Sequence, residues 1–371
     1  VRSSLYIFAG GGSGGHLFPG LAVAEQLRQI DTEAKIVFVC SSRPIDRQIL
    51  DPTPYAVVGQ TIRPTPHRWR EWPGFLWSVM ASSRRMRKLL ANLHPRAVLG
   101  TGGYAAGPAV WRAARAGYRT ALLNPDMVPG KANRALARHV GAIFTQFDST
   151  AKHFPAAARG LIHPVGCPVR GELVSASRSE AVKHFGLLTK RKTLLVFGGS
   201  QAAATINAAV AGMIEELGSL AKQWQVLAIV GPEGEGLAET NGSGSHLRIR
   251  CLPYCRRMDL AYAAADLAVC RAGAASVAEL TATGTPAVFM PYPWHKDHHQ
   301  HLNAEPLVEA GGAVICEDAK ATAANVAGLR RTLLPIIGDS GRLGAMARAM
   351  RPLARPEAAR EVAQWLCGRP D

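Results

Sequence analysis

The residues best suited to chemistry fall in clusters, and the first is a run of glycines. Gly10-Gly11-Gly12-Ser13-Gly14-Gly15-His16 follows the apolar run Leu5–Ala9 and leads through Leu17-Phe18-Pro19-Gly20 into a helical pattern. Glycines permit positive φ and close backbone approach, and the helix start behind them offers unpaired N–H groups and a positive dipole end. Such a turn cradles a phosphate or another polar ligand. His16 stands at its mouth, where an imidazole can act as a general base near neutral pH; its other use there is to satisfy local backbone. A second turn, Gly198-Gly199-Ser200-Gln201, follows Leu194–Phe197 and precedes a helix expected over about 202–216. Two turns of this kind, one in each half, point to a ligand held in a cleft between domains.

The next cluster is Cys270-Arg271-Ala272-Gly273-Ala274-Ala275-Ser276-Val277-Ala278-Glu279. A strand ends at Cys270, Gly273 makes the turn, and Glu279 lies about two helical turns further on. Its neighbours are small or apolar, so its carboxylate suits a ligand's ribose hydroxyls better than open solvent. The segment from Pro291 to Ala304 holds His295, His298, His299 and His301. Their spacing is not His-Glu-x-x-His and no Cys joins them, so no metal site is expected. A polar loop contacting sugar hydroxyls fits these residues better.

Residues 63–88 combine aromatic and cationic side chains: Arg63, His67, Arg68, Trp69, Arg70, Trp72, Phe75, Trp77, Met80, Arg84, Arg85, Arg87 and Lys88. Arg68, Trp69, Trp72, Phe75 and Trp77 form its centre. Aromatic wedges flanked by arginine suit an anionic bilayer surface, where each nearby cation contributes about 1 kcal/mol. A core-facing aromatic helix with a solvated basic side is the plainer reading, and nucleic-acid binding is the other functional one. The charge division agrees with an anionic partner: of the net +16, residues 1–170 carry +14 and the remainder only +2.

Positioning these clusters requires an alternating fold. Strand candidates in the first half are Leu5–Ala9, Lys35–Cys40, Ala97–Gly100, Thr120–Leu123 and Ala142–Gln146. The pattern restarts with Thr193–Phe197, Gln225–Val230, Leu247–Cys251, Leu267–Cys270, Pro286–Met290 and Ala313–Cys316. Strand–helix alternation predicts parallel sheets covered on both faces, and 371 residues suffice for two such domains at roughly 100–200 residues each. The expected division is 1–165, 166–340 and a C-terminal segment, 341–371, of helices packing back on the first domain. The seven cysteines form no Cys-x-x-Cys pair and read as reduced, buried thiols. Val1–Gly15 is too short of apolar residues for a signal peptide, and no stretch is long enough to span a membrane. Gly10-x-Gly12-x-x-Gly15 also satisfies the dinucleotide fingerprint, but Ser41-Ser42-Arg43 follows the second strand where NAD enzymes carry an acid. That leaves an NADP-dependent oxidoreductase as a distant alternative, beside a non-catalytic membrane or nucleic-acid adaptor.

The strings Gly11-Gly12-Ser13-Gly14-Gly15-His16-Leu17-Phe18-Pro19-Gly20, Gly102-Gly103-Tyr104, Gly198-Gly199-Ser200-Gln201, Arg271-Ala272-Gly273-Ala274 and His295-Lys296-Asp297 through Asn303-Ala304 occur in that order. Together they resemble the MurG family of peptidoglycan synthesis, which transfers N-acetylglucosamine (GlcNAc) to an undecaprenyl-pyrophosphoryl-muramoyl-pentapeptide. The resemblance implies a GT-B fold: two Rossmann-like, doubly wound α/β domains with parallel sheets and an interdomain cleft. It implies an inverting transfer from UDP-GlcNAc to the C4 hydroxyl of the muramoyl sugar, without cofactor or metal. It further implies a peripheral location on the cytoplasmic face of the cell membrane, with cell-wall synthesis proteins as partners and no nucleic acid.

Matched residue by residue, His16 is the base or acceptor orienter, with Ser13, Gly14 and Tyr104 on the acceptor side. The donor side takes Ser13, Gly14, Gly15, Asn124, Arg170, Ser200, Gln201 and Arg271. Tyr254 and Cys255 cover the uracil, Glu279 takes the ribose hydroxyls, and His299 with Gln300 holds the GlcNAc hydroxyls, Asn303 supporting the loop. The chain departs from the pattern where the family's His-Glu-Gln-Asn is replaced by Leu123-Asn124-Pro125-Asp126, which makes Asp126 a rival base and a different lipid-linked acceptor an alternative. Cys167 replaces an Asn, Ala202 a Gly, His299 a Gln, and Arg256-Arg257 an acidic pair.

Overall fold

The computed structural model describes residues 4–64, 66, 68–198, 203–232, 237–242, 246–294 and 297–368. The chain divides into two compact units, Val1–Arg170 with Arg355–Asp371, and Gly171–Ala354.

Unit 1 is built on seven strands: β1 (Leu5–Gly10), β2 (Lys35–Ser41), β3 (Ala56–Gln60), β4 (Ala97–Gly102), β5 (Arg119–Asn124), β6 (Ala142–Thr145) and β7 (Ile162–His163). Their order is β3-β2-β1-β4-β5-β6-β7, and every pairing is parallel. The chain reverses its direction of travel between β1 and β4, the switch point at which open α/β sheets bind ligands. Strand alternation sends side chains to both faces. Tyr6 and Phe8 enter one core with the helix Gly14–Ile30, while Ile7 and Ala9 enter another with the helices Trp72–Leu93 and Ala106–Arg115.

Unit 2 repeats the plan with β8 (Lys192–Phe197), β9 (Trp224–Ile229), β10 (Thr240–Asn241), β11 (Arg248–Leu252), β12 (Leu267–Cys270), β13 (Ala287–Phe289) and β14 (Ala313–Ile315). The order is β10-β11-β9-β8-β12-β13-β14, parallel except at the β10–β11 edge. Its switch point lies between β8 and β12.

Three boundaries differ from the sequence expectation. The first unit runs to Arg170 instead of 165. The helix Ser340–Met350 stays in unit 2, where Leu343 and Met346 join the core; only Ala358–Cys367 packs on unit 1, through Ala358, Val362, Ala363, Leu366 and Cys367. The apolar face of each helix decides where it goes. The expected helix after the second glycine turn is two pieces, Ala204–Ala211 and Ile214–Ser219, parted at Gly212, where a Cβ would meet Val326 at 2.5 Å. All seven cysteines are free, with Cys251 half-buried and the others buried. Burial pushes the Cys40 thiol up to about 11.

Candidate active site

In unit 1 the glycine loop after β1 holds its shape through positive φ, 156° at Gly11 and 88° at Gly12, which L side chains avoid. The helix begins at Gly14, so His16 lies in its first turn. His16 Nδ1 is 3.1 Å from the Gly11 carbonyl and 3.2 Å from Ser13 Oγ. A carbonyl only accepts, so the neutral ring carries its proton on Nδ1 and its lone pair on Nε2. The turn after β4 closes against the other side of the ring: a Cβ at Gly102 would lie 2.6 Å from His16 Cδ2, and one at Gly103 2.5 Å from the Gly11 carbonyl oxygen. Tyr104 borders the same loop, its Cε1 3.8 Å from where a Gly12 Cβ would stand. The first glycine turn, His16, Ser13 and Tyr104 are thus one constellation at the β1/β4 switch point.

Sequence reasoning missed the group that secures this loop. Asp46, fully buried, accepts hydrogen bonds from Gly12 N–H at 2.7 Å, Ser41 N–H at 3.0 Å and Ser41 Oγ–H at 2.6 Å. Arg43 Nη1 donates to the Gly12 carbonyl at 2.8 Å. The acid sought at the end of β2 sits in the following helix, Pro44–Leu50, facing the loop. The dinucleotide alternative loses its anchor here, because Arg43 is engaged by the Gly12 carbonyl and Ser41 by the Asp46 carboxylate.

Asn124 and Asp126 follow β5. Asn124 is buried; its amide donates to the Asp126 carbonyl at 2.7 Å and its Oδ1 accepts from Asn133 Nδ2 at 3.0 Å. Asn124, expected on the donor side, shapes its own turn here through these bonds. Asp126 is half-buried at that turn. Arg170 lies with its guanidinium carbon 4.6 Å from the centre of the Phe18 ring, on the helix behind the glycine loop.

In unit 2, Ser200 and Gln201 lie outside the described residues. Glu279 is half-buried in the helix Ala274–Thr283, and Tyr262 Oη donates to its Oε2 at 2.8 Å. Arg271, expected on the donor side, directly follows the end of β12. It is buried, and Nη1 donates to the carbonyls of Met290 at 2.8 Å and Pro291 at 3.1 Å and to Asp318 Oδ2 at 2.9 Å, while Nη2 reaches Thr205 Oγ1 at 2.7 Å. A guanidinium with these partners ties together the ends of β12 and β13 and the helix Ala204–Ala211. Burial pushes the Asp318 carboxyl up, but hydrogen bonds from Thr205, Asn325, the Lys320 N–H and Arg271 outweigh it, holding the group below the usual carboxylate range.

Tyr254 is half in solvent after β11, and Cys255 beside it is buried, which pushes its thiol up to about 11. His299 begins the helix His299–Glu309, its Nδ1 2.8 Å from Asp297 Oδ1. Gln300 Oε1 accepts from Tyr292 N–H at 2.9 Å, and Asn303 Nδ2 donates to the Ala272 carbonyl at 3.1 Å, fastening this helix to the β12 turn. His301 pairs instead with Glu317. Among the described residues, no group of three or more His, Cys, Asp or Glu side chains is placed to hold a metal ion.

The aromatic and basic segment is surface, not core. Trp69, Trp72, Trp77, Leu76 and Met80 are exposed, and Trp69 retains 77% of its accessible area. Phe75 is half-buried, its ring edge-on to Trp72 at 5.7 Å, and Arg68 is exposed. The inward face of the helix Trp72–Leu93 carries Ser78, Ser82, Ser83, Met86 and Leu90, with Arg84, Arg85, Arg87 and Lys88 outside. Among the described residues, no helix is long and apolar enough to cross a membrane.

Similarity to known proteins converges on one group. Residues 6–145 match the glycosyltransferase family 28 N-terminal domain and residues 193–362 its C-terminal domain. The UDP-N-acetylglucosamine--N-acetylmuramyl-(pentapeptide) pyrophosphoryl-undecaprenol N-acetylglucosamine transferase of Halothermothrix orenii is 34% identical, covering 94% of this chain and 95% of its own. The protein of the same name from Mycolicibacterium smegmatis is 36% identical, covering 98% and 93%. The crystal structure of Acinetobacter baumannii MurG matches with a TM-score of 0.71 at 25% identity, over 98% of this chain and 99% of that one. A UDP co-structure of S. aureus MnaA, 12% identical over 99% and 98% of the two chains, shares the fold alone with a TM-score of 0.68. The glycine turn at the β1/β4 switch point, both family 28 domains and near full-length relatives lead to one conclusion: this chain belongs to glycosyltransferase family 28 and, within it, to the MurG family.

Proposed function

We propose that the protein transfers GlcNAc from UDP-GlcNAc to the C4 hydroxyl of undecaprenyl-pyrophosphoryl-MurNAc-pentapeptide, with inversion at the anomeric carbon. The observation that carries the site reading is His16, held through Nδ1 where two glycine turns meet, with its lone pair left on Nε2. In this reading the acceptor oxygen attacks C1 of GlcNAc and its proton passes to His16 Nε2. The bond from C1 to the diphosphate oxygen breaks, and UDP departs with the electron pair. Helix starts behind the β8 and β12 turns supply N–H groups for the developing diphosphate charge, which lets the reaction run without a metal. Glu279 accepts from the ribose hydroxyls, Tyr254 and Cys255 border the base, and His299 and Gln300 address the sugar. Arg271 acts as a positioning residue behind them.

The exposed Trp69, Trp72 and Trp77, with the cations that follow, support a peripheral seat on an anionic membrane surface, where the lipid-linked acceptor resides. Transfer of labelled GlcNAc to a soluble-tailed muramoyl-pyrophosphoryl-lipid acceptor, with EDTA present, tests reaction and metal independence together. Undiminished transfer is the expected result. Transfer abolished by EDTA and restored by a divalent ion would overturn the metal-free step, and absence of UDP-GlcNAc binding would overturn the donor assignment.

A further inference from the structure

We infer that Asp46 is a positioning residue for group transfer, gripping the Gly11–Ser13 loop so that His16 keeps its proton on Nδ1, with Arg43 as its counterpart. The inference rests on the reading of His16 as base. Gly12 is held by both of its backbone polar groups: its N–H donates to Asp46 Oδ1 at 2.7 Å and its carbonyl accepts from Arg43 Nη1 at 2.8 Å. The Asp46 carboxylate also packs on Gly11, where a Cβ would lie 2.3 Å from Oδ2. The two residues flanking Gly12 supply the two groups on His16 Nδ1, the Gly11 carbonyl and the Ser13 hydroxyl. A chain of contacts therefore runs from Asp46 through Gly12 to the imidazole.

The carboxylate suits this task better than any neutral group. It is fully buried, which is costly unless its charge is answered, and three donors answer it: Gly12 N–H, Ser41 N–H and Ser41 Oγ–H. Two of the three are backbone N–H groups, which can only donate. An asparagine offers one accepting oxygen and turns its NH2 toward one of them, so Asp46→Asn breaks the grip while preserving volume. In dinucleotide-binding sheets the turn after the second strand recognises the ligand's ribose. Here the same turn points inward and clamps the first glycine loop.

The test compares Asp46→Asn with Arg43→Met, whose exposed side chain can be removed without threatening the core. Three quantities are read in the full chain: transfer turnover, UDP-GlcNAc affinity by calorimetry, and the imidazole 15N shifts of His16, which report where the ring proton sits. The expected result for Asp46→Asn is a fall of about 100-fold in kcat, the scale of a misplaced catalytic group. Donor affinity stays within about twofold, and the His16 signature moves from Nδ1–H toward a mixed tautomer. Arg43→Met is expected to lower kcat about 3–10-fold, the loss of one hydrogen bond, with an unchanged melting temperature. Wild-type kcat in both variants, or an unmoved 15N pattern in a folded variant, would overturn the inference. If wild-type protein fails to transfer while the 15N pattern still responds, the reaction assigned above fails and the clamp stands. If Asp46→Asn does not fold, Arg43→Met decides alone.

Discussion

The phenol of Tyr262 donates to the Glu279 carboxylate at 2.8 Å, joining the helix Met258–Ala264 to the helix behind the β12 turn. Tyr262 is itself buried, edge-on to Phe197 at 5.9 Å, so the bond orients the carboxylate from a fixed point. Glu279→Ala is expected to weaken UDP-GlcNAc binding about 10–100-fold, the range for hydrogen bonds to a charged group. Tyr262→Phe, which keeps the ring, should weaken it about 3–10-fold. Calorimetric titration with UDP-GlcNAc reads both, and wild-type affinity in Glu279→Ala would remove the ribose assignment.

His16→Ala should spare donor affinity and lower turnover about 10²–10⁴-fold, as expected on loss of a general base. Asp126→Asn is expected to retain most of the wild-type turnover; the reverse ranking of these two variants would give the base role to Asp126. Gly102→Ala provides an independent check. Its Cβ would press on His16 at 2.6 Å from a backbone at φ 112°, so turnover should fall although no reacting group has been removed.

Arg271→Met leaves the buried Asp318 charge without its guanidinium, a change that costs about 3–5 kcal/mol in comparable pairs. Thermal or urea unfolding measures it, and a loss below about 1 kcal/mol would show that the pair is not structural. The pH dependence has a definite sign. Asp318 is held below the usual carboxylate range, so its contribution is complete above about pH 4 and fades as pH falls through the depressed value. The stability gap between wild type and Asp318→Asn should therefore narrow in acid; a gap that widens would contradict the assignment.

Replacing Trp69, Trp72 and Trp77 with Ser is expected to cut binding to anionic vesicles at least about 10-fold and leave donor affinity and melting temperature unchanged. Their exposure is the reason, since little packing is lost. Binding to the same vesicles should also weaken with salt, because Arg84, Arg85, Arg87 and Lys88 act through screened charge. Unchanged vesicle binding in the triple variant would remove the membrane role from this face.

How much was legible in the sequence depended on distance along the chain. The glycine turns, the strands feeding them and Glu279 all lie within local runs, where residue type and period speak directly. Asp46 and Gly12 are 34 residues apart and Arg271 and Asp318 are 47 apart, and no local pattern pairs them. For the same reason the spacing exposed Arg271 as a charge at a turn but not the ring of protein acceptors that absorbs it. The edge strands β3, β7 and β10 escaped because β7 and β10 are only two residues long and β3 is half-buried, its apolar run cut short at Gly59. The Trp-rich helix could be read either way until its serine face proved to be the buried one.

The most direct test of the account is the structure of the product. UDP-GlcNAc, in which the sugar is α-linked, would be incubated with the muramoyl-pyrophosphoryl-lipid acceptor and the purified protein, and the new linkage determined by NMR. The account predicts a β-linked GlcNAc on the C4 oxygen of the muramoyl sugar, with one UDP released per transfer. An α linkage, attachment at another hydroxyl, or UDP release with no sugar on the acceptor would contradict it.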